Sequence, residues 1–327
     1  MQRSVTHDSF RLAEAFTISR GSRTSAEVLT VRITEGGVTG WGECVPYARY
    51  EESIKGVIEQ IASLPESFDR TELAALLPPG AARNAVDCAL WDLEAKRNRT
   101  SVWELSGLLS LTGRSEPRPE STAFTVSLDT PERMNAAAQR NKHRPLLKIK
   151  LGTAEDFPRL EAVRRGAPRS RIIVDANEGW SIKTYERLAP RLRDLGVEMV
   201  EQPFHAGDDA ILETIGRPVP VCADESCHDR GSLRALEGKY DLINIKLDKT
   251  GGLTEAVHLR REAASAGFEI MVGCMVGSSL AMAPAVLLAQ RATLVDLDGP
   301  LLLAEDRRTP LAYDDEGVHP PTADLWG

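Results

Sequence analysis

The sequence predicts an α/β fold, a (β/α)7β barrel of the TIM type with an N-terminal α+β capping domain. Two observations predict it. From Thr122 onward, short apolar runs alternate with helical stretches until eight runs have passed. Five of these runs end in an ionisable residue, and Lys150, Asp175, Glu201, Asp224 and Lys246 follow one another at 25, 26, 23 and 22 residues, the length of one strand–helix unit. Polar groups placed once per unit at the C-terminal ends of strands are what an active site at a barrel mouth requires.

The segment 1–118 lacks this rhythm and reads as the capping domain. Phe16-Thr17-Ile18 and Val28 to Ile33 have strand character, and Glu35-Gly36-Gly37 supplies a turn into Val38 to Glu43. A helix follows over Ala81 to Arg97, where Val86, Leu90, Leu93 and Arg97 recur at helical spacing. The stretch Gly113-Arg114-Ser115-Glu116-Pro117-Arg118-Pro119 breaks the pattern and marks the boundary.

The barrel is expected over 119–300. Its strands are Phe124-Thr125-Val126, Leu147 to Leu151, Ile172 to Asp175, Met199 to Glu201, Val219 to Ala223, Leu242 to Lys246, Ile270 to Gly273 and Leu294 to Leu297. Seven helical segments lie between them; Thr254 to Ala266, for example, puts Ala256, Leu259 and Ala263 on one stripe. Strict alternation implies parallel strands with right-handed crossovers, and eight is a number that closes a barrel. Thr122 to Asp298 spans 177 residues, short against the roughly 250 typical of such barrels. Short loops and a missing last helix account for the difference, leaving 301–327 to return to the capping domain. An open doubly wound sheet is the alternative, but no glycine-rich phosphate loop follows the first strand.

Bulk properties narrow the class of function. A net charge of −8 offers no basic face to nucleic acid. No apolar run approaches the roughly 20 residues needed to cross a bilayer, and the N-terminus has no signal-peptide core. A cytoplasmic enzyme acting on a small molecule is the expectation, with oligomeric state not legible. Five sparse cysteines argue against a disulfide framework. Cys222, Cys227 and His228 invite zinc, but no second Cys/His pair stands at finger-like spacing.

Asp175, Glu201 and Asp224 end consecutive strands, so a barrel brings three carboxylates to one mouth. Hard oxygen donors with positions left open suit Mg²⁺. One acid at a strand end more often caps a helix or pairs with a surface lysine; three in succession point to metal. In Leu146-Leu147-Lys148-Ile149-Lys150-Leu151 the two lysines share a face, because strand side chains alternate. Lys246, four strands further round, then stands across the barrel from Lys150. That places an acid and a base on opposite sides of one carbon. Neighbouring cations, Mg²⁺ and Lys148, are expected to lower the lysine pKa and leave a fraction neutral.

At these residues the chain resembles the enolase superfamily, and within its muconate-lactonising subgroup it is similar to the dipeptide epimerases. The phrases that carry the likeness are Ala81-Ala82-Arg83-Asn84-Ala85, Cys222-Ala223-Asp224-Glu225-Ser226-Cys227-His228 and Asn244-Ile245-Lys246-Leu247-Asp248-Lys249-Thr250-Gly251-Gly252. It runs from Arg20-Gly21-Ser22-Arg23 to Asp296-Leu297-Asp298. The resemblance implies Mg²⁺-dependent 1,1-proton transfer at the α-carbon of a dipeptide's C-terminal residue, L-Ala-L-Glu to L-Ala-D-Glu, in cell-wall peptide metabolism. It implies Lys150 and Lys246 as the acid/base pair, Asp175, Glu201 and Asp224 as metal ligands, and Lys148 on the substrate carboxylate.

The same resemblance implies that Asp296 and Asp298 hold the dipeptide's ammonium group, with Thr125, Cys274 and Met275 as substrate contacts. It sets Arg23 near the acidic side chain of glutamate. Physically, two acids on one strand face suit a cation, although such a pair also occurs as a surface pair or helix cap. Arg23 alone reads as a solvated loop residue, and Arg20 beside it would serve equally. Rival readings are o-succinylbenzoate synthesis and N-acylamino-acid racemisation, neither of which presents an ammonium group to Asp296 and Asp298. From another class comes a non-catalytic metal-binding barrel, in which buried like charges would cost stability for nothing.

Overall fold

In the computed structural model, which describes residues 1–327, three antiparallel strands open the chain: β1 (Gln2–Ile18), β2 (Gly21–Glu35) and β3 (Val38–Cys44). Gly36 and Gly37, at φ 58° and 80°, form the two-residue turn between β2 and β3. β1 is much longer than the expected Phe16–Ile18. Apart from a single bridge between Leu12 and Leu303 it pairs on one side only, with β2, and most of its side chains are at least partly exposed, so no apolar alternation marks it. Its register against β2 shifts between Arg11 and Phe16, and beyond that irregularity residues 12–25 form a flap that reaches the barrel.

Three helices cover the sheet: α1 (Ile54–Ala62), α2 (Arg70–Leu76) and α3 (Ala81–Asn98). Ser53 caps α1 through the Gly56 amide, and Asp69 with Glu72 forms a capping box on α2. Leu29, Val31 and Ile33 of β2 bury against Val86, Leu90 and Leu93 of α3. The approach of β3 to α3 is close enough that a Cβ on Gly42 would stand 2.1 Å from the Ala85 carbonyl oxygen. Two short helices, α4 (Val102–Leu105) and α5 (Leu108–Thr112), lead out of this layer.

The next eight strands form one parallel sheet in sequence order: β4 (Phe124–Val126), β5 (Leu146–Lys150), β6 (Arg171–Asp175), β7 (Val197–Glu201), β8 (Val221–Ala223), β9 (Leu242–Ile245), β10 (Glu269–Gly273) and β11 (Leu294–Asp296). The Ala123 amide closes the ring by donating to the Val295 carbonyl at 2.8 Å. Side chains alternate as the pleat demands. Ala123, Leu146, Ile173, Met199, Cys222, Leu242, Met271 and Leu294 fill the interior floor, one at each strand. Leu147, Ile149, Ile172, Val174, Ile243, Ile245 and Val272 face outward into the main core. Two residues above the floor come Lys148, Asp175, Glu201, Asp224, Asn244 and Asp296, with Lys150 and Lys246 a further two along their own segments.

Helices α6 (Pro131–Arg140), α7 (Asp156–Gly166) and α8 (Ile182–Asp194) follow the first three barrel strands. Two of the seven expected helical segments are reduced. After β7 there is only a 3-10 turn, Asp209–Glu213, and after β8 a 3-10 turn, Arg230–Ser232, runs into the single-turn α9 (Leu233–Leu236). Their sequences carry too few apolar residues for a long helical stripe, and Leu212, Leu233 and Leu236 help cover the barrel there, with Ile211 and Ile215 packed beside them. Single-turn α10 (Leu247–Thr250), then α11 (Leu253–Ser265) and α12 (Ser279–Leu288), complete the outer ring. These reductions, beside the absent eighth helix, explain the short barrel.

The tail carries a small hairpin, β12 (Tyr313–Asp314) and β13 (Gly317–Val318), and packs back on the first domain. Arg307 ion-pairs with buried Glu43 at 2.6 Å, and Trp326 Nε1 donates to the carbonyls of Trp41 and Cys88. From the other side, α3 grips the barrel: Arg83 donates to the Thr250 carbonyl at 2.6 Å and Asn84 to Asp248 at 2.8 Å. No helix is long and apolar enough to cross a membrane.

Candidate active site

The strand ends deliver a buried cluster of charge. Lys148 Nζ lies 2.6 Å from Glu201 Oε2, 2.6 Å from Asp296 Oδ2 and 3.2 Å from Asp175 Oδ2. Lys150 donates to Asp175 Oδ2 at 2.6 Å, and Lys246 to Asp224 Oδ2 at 2.6 Å. Sequence reasoning missed Lys249, which is wholly buried and donates to Asp224 Oδ1 at 2.6 Å, to the Asp224 carbonyl at 2.5 Å and to the Asn244 carbonyl at 3.0 Å. It also missed Asn244, whose amide donates to Glu201 Oε1 at 2.7 Å. The signal for both was position: Asn244 faces inward two residues before Lys246, and Lys249 stands in the one turn of α10 that follows.

Above the cluster lies a cavity of about 80 Å³. Lys150, Lys246, Asp224, Cys274, Met275 and Arg23 line it, so the structure brings those predicted residues to one space. Lys148, Asp175, Glu201, Asp296 and Asp298 are buried beside or beneath it. Thr125 instead fronts a larger groove of about 400 Å³ that runs between β1 and α6 outside the barrel mouth. The chemistry sits with the smaller space, because both opposed lysines reach it. The flap forms its roof: Leu12, Phe16 and Ile18 face inward, and the Phe16 ring centroid is 5.7 Å from Lys150 Nζ. With Tyr47 and Tyr50, these flap residues roof the opposed lysines, and a substrate must pass them to enter.

The two flap arginines differ. Arg23 stacks over the Tyr47 ring at 4.8 Å and has no carboxylate partner. Arg20 is the ion-paired one, 2.7 Å from Glu225 Oε1 and 3.2 Å from Glu178 Oε2. Glu225 Oε2 is buried without a hydrogen-bond partner, and Glu225 also lines the cavity. The cysteines flanking Asp224 diverge: Cys222 fills the interior floor, whereas Cys227 packs outside in the main core. His228 Nε2 contacts the Glu225 carbonyl at 3.0 Å.

Electrostatics divides the acids into two groups. Burial would raise Asp175, but Lys150 and Lys148 outweigh it and hold its pKa below the ordinary value. Burial acts likewise on Asp224, where Lys246 and Lys249 prevail and hold it well below. For Glu201, burial and then Asp175 win over Lys148, and its pKa is pushed up to about 7. Asp298 also rises to about 7, through burial and Asp296, against a hydrogen bond from the Thr125 amide at 2.6 Å. Burial alone would depress the two central lysines. Asp296, Glu201 and Asp175 instead hold Lys148 well above its ordinary value, and Asp224 with Glu201 does the same for Lys246. Lys148 acts on Lys246 in the expected downward direction, but the carboxylates Asp224 and Glu201 outweigh it.

The three proposed metal ligands meet at one mouth, but each faces a lysine, and they do not converge on a common point as a metal-holding group. The donor set nonetheless fits a hard cation. All three carboxylates are buried, on adjacent strand ends. Glu201 Oε2, although 2.6 Å from Lys148 Nζ, lies off any hydrogen-bond direction and has no hydrogen-bond partner.

Known proteins match along the whole length. The family model for the mandelate racemase / muconate lactonizing enzyme N-terminal domain matches residues 1–107, and that for the enolase C-terminal domain-like unit matches 132–323. An N-acetyl-D-glutamate racemase of Pseudoalteromonas is 46% identical over 92% of this chain and 95% of its own. The L-Ala-D/L-Glu epimerase of Escherichia coli K12 is 44% identical over 96% of this chain and 98% of its own. An enolase family member from Agrobacterium tumefaciens with homology to dipeptide epimerases, solved with sodium and L-Ala-L-Glu, is 51% identical, with a TM-score of 0.95 over 99% of both chains. A dipeptide epimerase from Enterococcus faecalis, solved with Mg and L-Leu-L-Tyr, is 28% identical, with a TM-score of 0.88 over 98% of this chain and 96% of that one. The chain belongs to the enolase superfamily, in its mandelate racemase / muconate lactonizing enzyme family.

Proposed function

We propose that this protein is a dipeptide epimerase: it inverts the α-carbon of a dipeptide's C-terminal residue, most specifically L-Ala-L-Glu to L-Ala-D-Glu. One observation carries the reading. Lys150 and Lys246, on strands separated by three others either way round the ring, line a single cavity. A carbon held between them can lose its proton to one lysine and regain one from the other. Asp175 and Asp224, in contact with those lysines at 2.6 Å, orient both side chains before transfer, the neutral amine that takes the proton and the ammonium that returns one. Phe16 and the rest of the flap roof the two lysines and limit the water that reaches the reacting carbon.

Asp175, Glu201 and Asp224 would hold Mg²⁺, with Lys148 beside them. When bound, the ion supplies a fixed positive charge that offsets charge developing on the substrate carboxylate. Asp296 Oδ1, buried without a hydrogen-bond partner, and Asp298 would accept from the substrate's ammonium group. Arg23 is the flap cation left without a carboxylate, which favours an acidic side chain at the inverted residue. Five free cysteines and the relatives' substrates support a cytoplasmic place in turnover of cell-wall peptide.

A second reading, racemisation of N-acetyl-glutamate, is favoured by the Pseudoalteromonas relative. Asp296 is already paired with Lys148 and Asp298 is raised to about 7, so the acidic pair has less than two full charges to offer an ammonium group. One experiment separates the readings. With Mg²⁺ in D₂O, L-Ala-L-Glu is expected to exchange its glutamyl α-proton as the epimer forms. Exchange with N-acetyl-glutamate and none with any L-Ala-L-Xaa dipeptide would replace the dipeptide reading by the second.

A further inference from the structure

We propose that Glu178 is a positioning residue, the clasp by which the flap and the segment 47–50 are held closed over the active-site cavity. The inference rests on the dipeptide reading only for its kinetic consequence. Glu178 follows Asp175 by three residues but takes no part in the lysine–carboxylate cluster. Its side chain is 4% exposed and gathers donors from three parts of the chain. Arg49 donates Nε to Oε2 at 2.8 Å and Nη2 to Oε1 at 2.7 Å, a two-pronged pair. Arg20 Nη1, at the flap turn, donates to Oε2 at 3.2 Å. The Ala206 amide, after β7, donates to Oε1 at 2.9 Å.

The backbone is shaped to present this acceptor. Asn177 and Glu178 sit at φ 44° and 64°, two consecutive left-handed residues neither of which is glycine. Three hydrogen bonds maintain the turn: the Asn177 amide to Asp175 Oδ1 at 2.9 Å, the Glu178 amide to the Gln202 carbonyl at 2.9 Å, and the Gly179 amide to the Ala176 carbonyl at 2.8 Å. The turn exposes the Asn177 carbonyl to the flap, where Ser19 Oγ donates at 3.0 Å and Arg20 Nη1 at 2.8 Å. Strained backbone directed at the flap is what a clasp at this turn would require. Closure must be reversible, since a substrate reaches the opposed lysines only past the flap.

The clasp also links the flap to the chemistry. Asp175 takes the Asn177 amide on one oxygen and Lys150 on the other. A flap held through Asn177 and Glu178 is therefore referenced to the same carboxylate that orients a proposed base.

Glu178→Gln keeps the shape and removes the charge. Without substrate, tryptic cleavage after Arg20 or Arg23 is expected to quicken about tenfold, the loss of one charge-assisted bond. With L-Ala-L-Glu, KM is expected to rise on the order of tenfold while kcat falls less than about threefold, and Mg²⁺ affinity measured calorimetrically stays as in the unaltered enzyme. Arg49→Gln, on the less buried partner, should give the same changes, and the double variant little more than either alone. Unchanged cleavage and unchanged KM in either folded single variant would overturn the clasp. Proteolysis reads the clasp even if no dipeptide is turned over, an outcome that would count against the epimerase reading alone.

Discussion

Lys246 and Lys150 are chemically alike but differently placed, and their variants should show it. Lys246→Ala and Lys150→Ala are each expected to lower epimerisation at least about a thousandfold. In D₂O each should still exchange the α-proton of only one epimer, because one face keeps its lysine. NMR of each variant with the separate L,L and L,D dipeptides checks this; exchange from both epimers in either variant removes the two-base assignment. The parity of Lys148 and Lys150 and the spacing of the five strand-end groups were legible in the sequence, because a strand's side-chain period is fixed at two. Their division of labour followed from the resemblance and not from the spacing. Lys148 stands among three carboxylates and Lys150 touches one, a difference set by Asp296 and Glu201 from distant strands. Nor did any local pattern tie Arg20 to Glu225, 205 residues away, or show that Arg23 would rest on Tyr47.

Among elements, the barrel strands were legible because each is a buried apolar run bounded by turns. Long β1 was not, since a one-sided strand with exposed side chains has no apolar period to read. The reduced segments after β7 and β8 were expected as helices because the β–α rhythm was extended over them. The join between β3 and α3 gives the sharpest test at this scale. Gly42→Ala would drive its Cβ against the Ala85 carbonyl oxygen and to 2.9 Å from the Ala89 amide, both backbone atoms of a packed helix. We expect a loss of about 2–3 kcal/mol in urea denaturation; a loss under about 0.5 kcal/mol would mean that α3 can back away from the sheet.

Across the whole molecule, the joint between domains carries buried acids whose charge opposes folding. Asp248, on α10, takes the Val45 amide at 3.1 Å and the Asn84 side chain at 2.8 Å, both from the capping domain. Burial outweighs these bonds and pushes its pKa up to about 7. An aspartate in the unfolded chain titrates near 4. Between those values the folded protein keeps a proton that the unfolded chain has released, so stability falls as pH rises through the window and levels off above it. Asp248→Asn should therefore gain on the unaltered protein from pH 4 to 7, by up to about 1.4 kcal/mol per pH unit. Urea titrations at pH 5 and pH 8 check the sign; a variant that loses ground at pH 8 contradicts it. The barrel has one more joint, where β11 meets β4. The Ala123 amide supplies a backbone bond there, Thr122 Oγ1 accepts from the Leu297 amide at 2.8 Å, and Asp298 stands in for a missing strand partner by taking the Thr125 amide. The side chain proposed to recognise the substrate's amino end is thus also a stitch in the seam of the ring. Selection that retunes recognition at Asp298 must at the same time keep the barrel sewn shut, so new specificities should arise more readily at Arg23, which rests on Tyr47 and holds neither the seam nor the clasp.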